Sequence, residues 1–496
     1  MTDTLTIEYV DPNTVLLGKN IRQNPQLTEE FVYSVKTRGV HTPCPAVRTE
    51  TGEVKLVFGS RRRAAAISAG RPLPVFVIGT EDTSLQGQVD RLFDQFDENE
   101  SRAPLTAQEK AGFVQDLLDF KISPTQIRKR TGLDKTAIDR ARKVAASTRV
   151  MTGAPIEDLE MAATLTEFEA AGDAEAVEVL TVAIDGGRGQ FRHATQLLTD
   201  SQGERFQKRD LLAELAAAGV PVLSVDDHGR VFTADGTPIG WEQHLNQLRT
   251  ADRKLLTVEA HADCPGHAAY LRRTRTWNDD TDRSESGWEP EYVCTDPDGN
   301  GHQAKISRHD DKNEDPGAKE EAARQRRLVI DNNKQWRAAR TVRQAWIKEL
   351  LTRKDVPADA LPVILGALTG CWWTRWDRSL SEAISDGHKL AGELLGLTGS
   401  GTESAGDLIT AALRTASPAR QQVIALGLVL AAWEATLTDE TWRRYVPSIK
   451  QEYRMSGTSV AGRYLLLLAG WGYTLSDIEK LPVSALEDAN SEGPAL

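Results

Sequence analysis

The chain has 496 residues, four cysteines and a net charge of −12. This length exceeds what one hydrophobic core supports, so about three domains are expected. No apolar run reaches the ~18 residues of a membrane helix, and residues 1–8 lack the basic and apolar regions of a signal peptide. Few cysteines in so long a chain exclude a disulfide framework and predict a reducing, cytoplasmic location without a membrane partner.

The first 90 residues predict a small α+β domain. The pattern gives strands at 5–10, 46–48, 54–58 and 73–78, a helix that Thr28 caps, and a second helix over 61–69. This second helix follows Gly59-Ser60 and opens with three arginines. A helix start of this kind suits a phosphate group. The residues alone are equally compatible with a solvated basic helix start.

Residues 91–205 predict a helical domain. Ser123-Pro124 starts a short helix, Gly132 makes a tight turn, and Asp134 caps the next helix. This pattern is typical of a helix-turn-helix over 123–146, in a segment (121–149) with nine basic and two acidic residues. The exposed face of the second helix offers candidates for base contacts, and flanking cations offer candidates for phosphate contacts. The former are Lys135, Thr136, Asp139 and Arg140, and the latter are Arg128, Lys129, Arg130, Arg142 and Lys143. The alternative is a helical hairpin that only packs.

Residues 206–318 predict a small loop-rich segment with short β-runs and polar loops at 279–286 and 307–317. Cysteines and histidines concentrate there, and four of them suit a zinc site: Cys264, His267, Cys294 and His302. A metal would stabilise a segment with little apolar core of its own. The alternative is a set of unrelated polar loop residues.

Residues 319–486 predict a large all-α domain, followed by a disordered tail at 487–496. Trp336, Ala339, Val342, Trp346 and Leu350 share one helical face, with basic residues opposite. We interpret this helix as amphipathic with a solvated basic side, the alternative being a second DNA-contacting surface. Three tryptophans at 372, 373 and 376 are expected in a core, and 423–433 is apolar almost all round, as in a central or interface helix.

The order of the motifs resembles the ParB/RepB-type family of DNA-partition proteins, over the N-terminal third only. The family's G-x-x-Q-P turn corresponds to residues 39–43, Gly-Val-His-Thr-Pro. Its G-E-R-R-x-R-A motif corresponds to residues 59–65, Gly-Ser-Arg-Arg-Arg-Ala-Ala. Its E-N-x-Q-R motif corresponds to residues 98–102, Glu-Asn-Glu-Ser-Arg, and the helix-turn-helix pattern follows at the family's distance.

This resemblance implies a ParB-like nucleotide-binding domain and a CTP-operated DNA clamp that uses Mg²⁺ and has weak CTPase activity. The residues implied at the nucleotide are Thr42, Pro43, Gly59, Ser60, Arg61, Arg62 and Asn99. Asn99 would also help to hold Mg²⁺, and Glu98 would position or activate the water for hydrolysis. Three positions depart from the family pattern, because Thr42, Ser60 and Ala64 stand where the family has glutamine, glutamate and arginine.

The leading hypothesis is a homodimeric, sequence-specific DNA-binding protein for plasmid, phage or chromosome partition, with double-stranded DNA and a ParA-type ATPase as partners. It would associate with the nucleoid or a plasmid. The alternative is a transcriptional regulator built from the same parts, which the absence of Lys or Arg before Lys19 favours, because partition proteins usually begin with a basic arm. A nuclease or small-molecule kinase on this fold is the third hypothesis.

Overall fold

The structure, a computed structural model, describes residues 6–18, 21, 27–226, 229–250, 252–278, 283–304, 316–353, 356–369, 380–397, 403–446 and 460–491. The chain forms two compact units, Met1–Arg188 and Gly189–Leu496. Among the described helices, none has both the length and the apolar character needed to cross a bilayer.

A mixed sheet of five described strands opens the N-terminal unit. The strands are β1 (Ile7–Val10), β2 (Leu16–Leu17), β3 (Cys44–Arg48), β4 (Val54–Leu56) and β5 (Leu73–Thr80), in the spatial order β1-β5-β3-β4-β2. Strand β3 runs parallel to β5 and antiparallel to β4. Two helices accompany this sheet, α1 (Glu29–Arg38) and α2 (Ser60–Ala69). Thr28 caps α1 by accepting a hydrogen bond from the Phe31 amide, as the sequence predicts.

The rest of this unit is helical. Its helices are α3 (Leu85–Arg102), α4 (Ala107–Asp119), α5 (Pro124–Thr131), α6 (Lys135–Ala145), α7 (Thr148–Thr152), α8 (Leu159–Ala170) and α9 (Ala174–Ala183). The rings of Phe96 and Phe113 stack at 4.6 Å in a core that α3 shares with α4, α5 and α6. This packing fixes α3, which carries the third family motif, against the helices that follow it.

The C-terminal unit begins with a helical and β-containing part. Its elements are α10 (Gly187–Ala217), β6 (Ser224–Val225), β7 (Val231–Phe232), β8 (Pro238–Ile239), β9 (Leu248–Arg249), α11 (Val258–His261), β10 (His267–Asn278), β11 (Arg283–Cys294) and β12 (Gln303–Ala304). Strands β10 and β11 form a long antiparallel pair in continuous register, from His267 opposite Cys294 to Asn278 opposite Arg283. Strand β12 pairs with β9.

A helical part completes this unit. Its helices are α12 (Pro316–Thr352), α13 (Ala360–Leu368), α14 (Leu380–Leu395), α15 (Ala405–Thr415), α16 (Pro418–Thr436), α17 (Val460–Gly470) and α18 (Asp477–Ser491). The five residues predicted to share one face of α12 all lie in the resulting core, with Trp336 fully buried.

A buried ion network joins three of these helices. The Arg343 guanidinium donates to Glu434 through Nε and Nη2, at 2.5 and 3.1 Å, and to Glu479 through Nη1 at 2.5 Å. The side chains of all three are 0% exposed. Because the two carboxylates surround it, the pKa of Arg343 lies well above its ordinary value despite the opposing effect of burial, which is the largest single influence.

The structure corrects three sequence-based boundaries. The segment 206–318 is not mainly loop: α10 extends through its first residues, and part of the predicted polar loop at 279–286 belongs to strand β11. The predicted disordered tail is helical from 487 to 491, because α18 continues to Ser491. The tryptophans at 372, 373 and 376, and the remainder of both predicted polar loops and of the tail, lie outside the described residues or in positions whose side chains are not described.

Candidate functional site

A cavity of ≈530 Å³ in the N-terminal unit brings residues of all three predicted motifs together. The start of α2 and the last turns of α3 form its walls, with β4 and the turn before β3 beside them. Its lining includes seven of the residues predicted at the nucleotide: Thr42, Gly59, Ser60, Arg61, Arg62, Glu98 and Asn99. The volume lies within the range of small-molecule pockets.

Gly59 shapes the floor of this cavity. Its φ of 108° lies in the left-handed region that favours glycine. A Cβ at this position would lie 2.5 Å from the Cys44 sulfur, so no side chain fits between the turn and β3. Glycine is therefore required at this position for two reasons: its backbone conformation and its close approach to the Cys44 side chain. Helix α2 starts directly afterwards, with its positive dipole end at the cavity.

Two arginines flank the start of α2 in different ways. Arg62 Nη1 donates to the carbonyls of Thr42 and Pro43, at 2.9 and 3.1 Å, which ties the first family motif to the second. Pro43 thus meets the site through its carbonyl. The guanidinium of Arg61 lies over the Phe31 ring, 4.6 Å from its centroid. This contact holds an exposed arginine at the cavity edge.

The α3 side of the cavity carries an amide and an ion pair. Asn99 is 7% exposed, and its Nδ2 donates to the Gln95 carbonyl at 2.8 Å. That bond orients the side chain, whose amide oxygen is of the type that Mg²⁺ prefers. Glu98 pairs with Arg102 at 2.6 Å, one helical turn apart. The predicted water-positioning carboxylate therefore has a cationic partner in the same cavity.

Sequence reasoning missed several residues that line this cavity, among them Phe31, Gln95 and Arg102. Arg102 ends the third motif and lies four residues after Glu98, a spacing that could have indicated the ion pair. Phe31 comes from α1, and no local pattern links it to Arg61.

Cys44 lies beneath the site and is completely buried. Burial raises the pKa of its thiol above the ordinary value, although Arg62 and Arg102 act in the opposite direction. The thiol is therefore protonated at neutral pH, and its role at this position is packing against Gly59.

Helices α5 and α6 are joined by a turn at Gly132, whose φ is 73°. Ile127, Ile138 and Ala141 face the core and are at most 1% exposed. The predicted DNA-contacting residues lie on the other sides of these helices, and all are exposed except Arg140, which is half-buried. The elements thus present the predicted base-contacting and phosphate-contacting side chains away from the core.

Several of these cations already have acidic partners. Arg130 pairs with Asp90 at 2.6 Å and lies over the Phe93 ring at 3.9 Å, so its guanidinium faces α3. Lys143 pairs with Glu167 of α8. Arg140 lies 3.6 Å from Glu160 of α8, across a cleft of ≈420 Å³ that Lys135, Thr136 and Asp139 also line.

The cysteine–histidine cluster of the C-terminal unit differs from the predicted set in one member. Cys264, Cys294 and His302 lie together, but the fourth residue is His261, with all four ligand atoms within 4.8 Å of one another. His267 lies beside the cluster, where its Nδ1 is 2.7 Å from His261 Nδ1. The predicted C-x2-H pair is replaced by an H-x2-C pair because His267 begins β10 opposite Cys294.

Burial affects two members of this cluster. It lowers the pKa of His261 to about 4, with two neighbouring histidines adding to the effect, so this imidazole is neutral at pH 7. It also raises the pKa of the Cys294 thiol to about 11 in the metal-free chain.

No protein-family model matches this chain, and a search of curated proteins finds no match. Among solved structures, the chain is similar to the C-terminally truncated chromosome-partitioning protein ParB from Caulobacter crescentus complexed to the centromeric parS site. That match has 17% identity and a TM-score of 0.27, and it covers 39% of this chain and 99% of the other. The same protein complexed with CTP-gamma-S matches at 21% identity and a TM-score of 0.16, over 34% of this chain and 91% of the other.

Proposed function

We propose that this protein is a ParB-like, CTP-regulated, sequence-specific DNA-binding protein that serves DNA partition. The observation that carries the proposal is the convergence of motifs about 40 residues apart on one cavity. Gly59, Arg61 and Arg62 enter it from α2, while Glu98 and Asn99 enter it from α3. A helix start, two arginines and a buried amide are groups that suit a magnesium-bound triphosphate.

Each side chain in the cavity has its own role in the proposed nucleotide site. Arg61 and Arg62 hold phosphate oxygens at the start of α2, where Gly59 lets the backbone approach closely. Asn99 would hold the metal ion through its amide oxygen, and Glu98 would orient the attacking water. A bound Mg²⁺ supplies neutralisation of the phosphate charge. Ser60 stands at the family's glutamate position, so hydrolysis is expected to be slow.

Arg62 and Arg102 have protein partners that compete with phosphate. Arg62 holds the carbonyls of Thr42 and Pro43, and Arg102 holds Glu98. A phosphate group that attracts either guanidinium therefore acts on the turn before β3 or frees the Glu98 carboxylate. This exchange of partners gives the nucleotide a direct physical effect on the domain.

The DNA-binding part of the proposal rests on α5 and α6. Lys135 and Thr136 lie in the first turn of α6 and are exposed, which suits contacts to base edges in a major groove. Arg128, Lys129 and Arg142 are exposed for phosphate contacts. A homodimer, a ParA-type ATPase partner and a cytoplasmic, nucleoid- or plasmid-associated location complete the proposal, and only the motif resemblance supports them.

Nucleotide selectivity tests the proposal. The full chain is heated with Mg²⁺ and each ribonucleoside triphosphate, and stabilisation by CTP alone is expected. Arg61→Ala should abolish that shift, whereas Arg38→Ala should not, because Arg38 bonds Ser34 on α1 and does not line the cavity. Absence of a shift with every triphosphate, or an equal shift in both variants, refutes the proposal.

A further inference from the structure

The side chains of His261, Cys264, Cys294 and His302 meet in the C-terminal unit, far along the chain from the nucleotide cavity. Cys264 Sγ lies 4.0 Å from Cys294 Sγ and 3.4 Å from His302 Nε2. Tetrahedral zinc, with bonds of about 2.3 Å to sulfur and about 2.0 Å to nitrogen, places its ligand atoms roughly 3.4–3.8 Å apart. The four ligand atoms here lie within 4.8 Å of one another, so binding would draw them together by about 1 Å at most. We propose that these four side chains bind one structural Zn²⁺.

His261 supplies an independent observation. Its side chain is completely buried, and its Nε2 has no hydrogen-bond partner among the described residues. Such a buried nitrogen is unfavourable unless something binds it. Its other nitrogen, Nδ1, lies 2.7 Å from His267 Nδ1. When Nδ1 is the donor in that bond, Nε2 keeps its lone pair for a metal, so His267 orients the ligand without binding the ion.

The environment of Cys294 is that of a metal-bound thiolate. Asn300 Nδ2 donates to its sulfur at 3.7 Å, and the backbone amide of Asp296 also bonds the thiol. These donors stabilise negative charge on a completely buried sulfur. Gly266 leaves the room for this approach, because a Cβ there would lie 2.7 Å from the same sulfur.

The ligands come from segments that little else holds together. His261 ends α11, Cys264 follows it, Cys294 ends β11, and His302 directly precedes β12. The local apolar core is small, consisting of Leu245, Leu248, Leu256 and Cys294 with a few partly buried neighbours. Four protein ligands close the coordination sphere, so the ion would stabilise this region and not catalyse a reaction.

Metal analysis of the full chain tests the proposal. The purified protein should hold about one zinc per chain. Cys294→Ser and His261→Gln should each lose it. His244→Gln is the matched control, because His244 lies in the same region but bonds Glu291 through its Nδ1. Cobalt substitution should give visible absorption of a tetrahedral site with thiolate charge-transfer bands, which His261→Gln alters.

A local readout separates a metal site from a packing cluster. Chelation should increase hydrogen exchange in β9, β11 and β12 of the normal chain and leave the exchange of Cys294→Ser unchanged. If the normal chain holds no more zinc than Cys294→Ser does, the proposal is overturned. A Cys264–Cys294 disulfide in protein purified under reducing conditions, seen as the loss of two hydrogen atoms in intact mass, also overturns it.

Discussion

Gly59→Ala tests the physical basis of the cavity in the N-terminal unit. The φ of 108° disfavours alanine, and a left-handed conformation costs a residue with a Cβ about 1–2 kcal/mol. The new Cβ would lie 2.5 Å from the Cys44 sulfur, and overpacking of this kind costs about 1–3 kcal/mol. Together these effects predict a loss of about 2–5 kcal/mol in the local opening free energy.

Two further variants separate the backbone cost from the steric one. Gly70, which ends the same helix, has a φ of 59° and nothing within 4 Å of the position that a Cβ would occupy, so Gly70→Ala should show only the backbone cost. In the Gly59→Ala background, Cys44→Ala removes the obstructing sulfur. It should recover about 1–3 kcal/mol, after correction for the effect of Cys44→Ala alone.

Hydrogen exchange of the full chain provides the assay, with peptides that cover β3 and α2. Because the proposed CTP site needs the start of α2 in place, Gly59→Ala should also weaken CTP binding more than Gly70→Ala does. Equal exchange in Gly59→Ala and Gly70→Ala, or no recovery with Cys44→Ala, would refute the reasoning.

Three further predictions concern charged groups. Glu167→Gln frees Lys143 from its partner on α8, so the affinity for duplex DNA should rise. The slope of log affinity against log salt concentration should steepen by about 0.9. An unchanged slope would contradict a contact between Lys143 and DNA. Arg343→Met leaves two carboxylates buried without their cation and should destabilise the C-terminal unit by about 3–5 kcal/mol. Urea unfolding followed by tryptophan fluorescence measures this loss. The control, Arg337→Met at an exposed position of the same helix, should cost little. The hydrogen bond from Lys55, with a smaller contribution from Arg91, lowers the pKa of Glu81. The carboxylate therefore stabilises the fold above its ordinary pKa of about 4.3, and this stabilisation is lost as the pH falls through the lowered pKa. Glu81→Gln should therefore flatten that part of the acid-unfolding curve measured by circular dichroism, and an identical curve would count against it.

Local signals in the sequence could predict the helix start that lines the cavity, whereas the family resemblance supplied the residues of α3. Gly59 needs a special backbone conformation, the arginines follow at a helix start, and Asn99 ends an amphipathic helix. Contacts between distant segments left no such signal. Nothing in the sequence pairs Phe31 with Arg61. Helical periodicity places Arg343 on the buried face of α12, but nothing in the sequence pairs it with its two distant carboxylates.

The hairpin of β10 and β11 was missed for a different reason. Gly287 and Pro290 lie within β11, and both residue types normally argue against a strand interior. The same omission displaced one zinc ligand. The C-x2-H spacing favoured His267 over His261 as a ligand, because the sequence does not reveal that His267 begins β10 opposite Cys294.

The buried network of Arg343 has a consequence for how the newly made chain acquires its shape. Its second carboxylate, Glu479, lies 136 residues further along the chain. At about 5–20 residues per second, a ribosome adds those residues in roughly 7–27 s. Glu434 lies only 91 residues along the chain and becomes available earlier, so the guanidinium can first pair with this one carboxylate. The three-residue network is complete only after Glu479 has been synthesised.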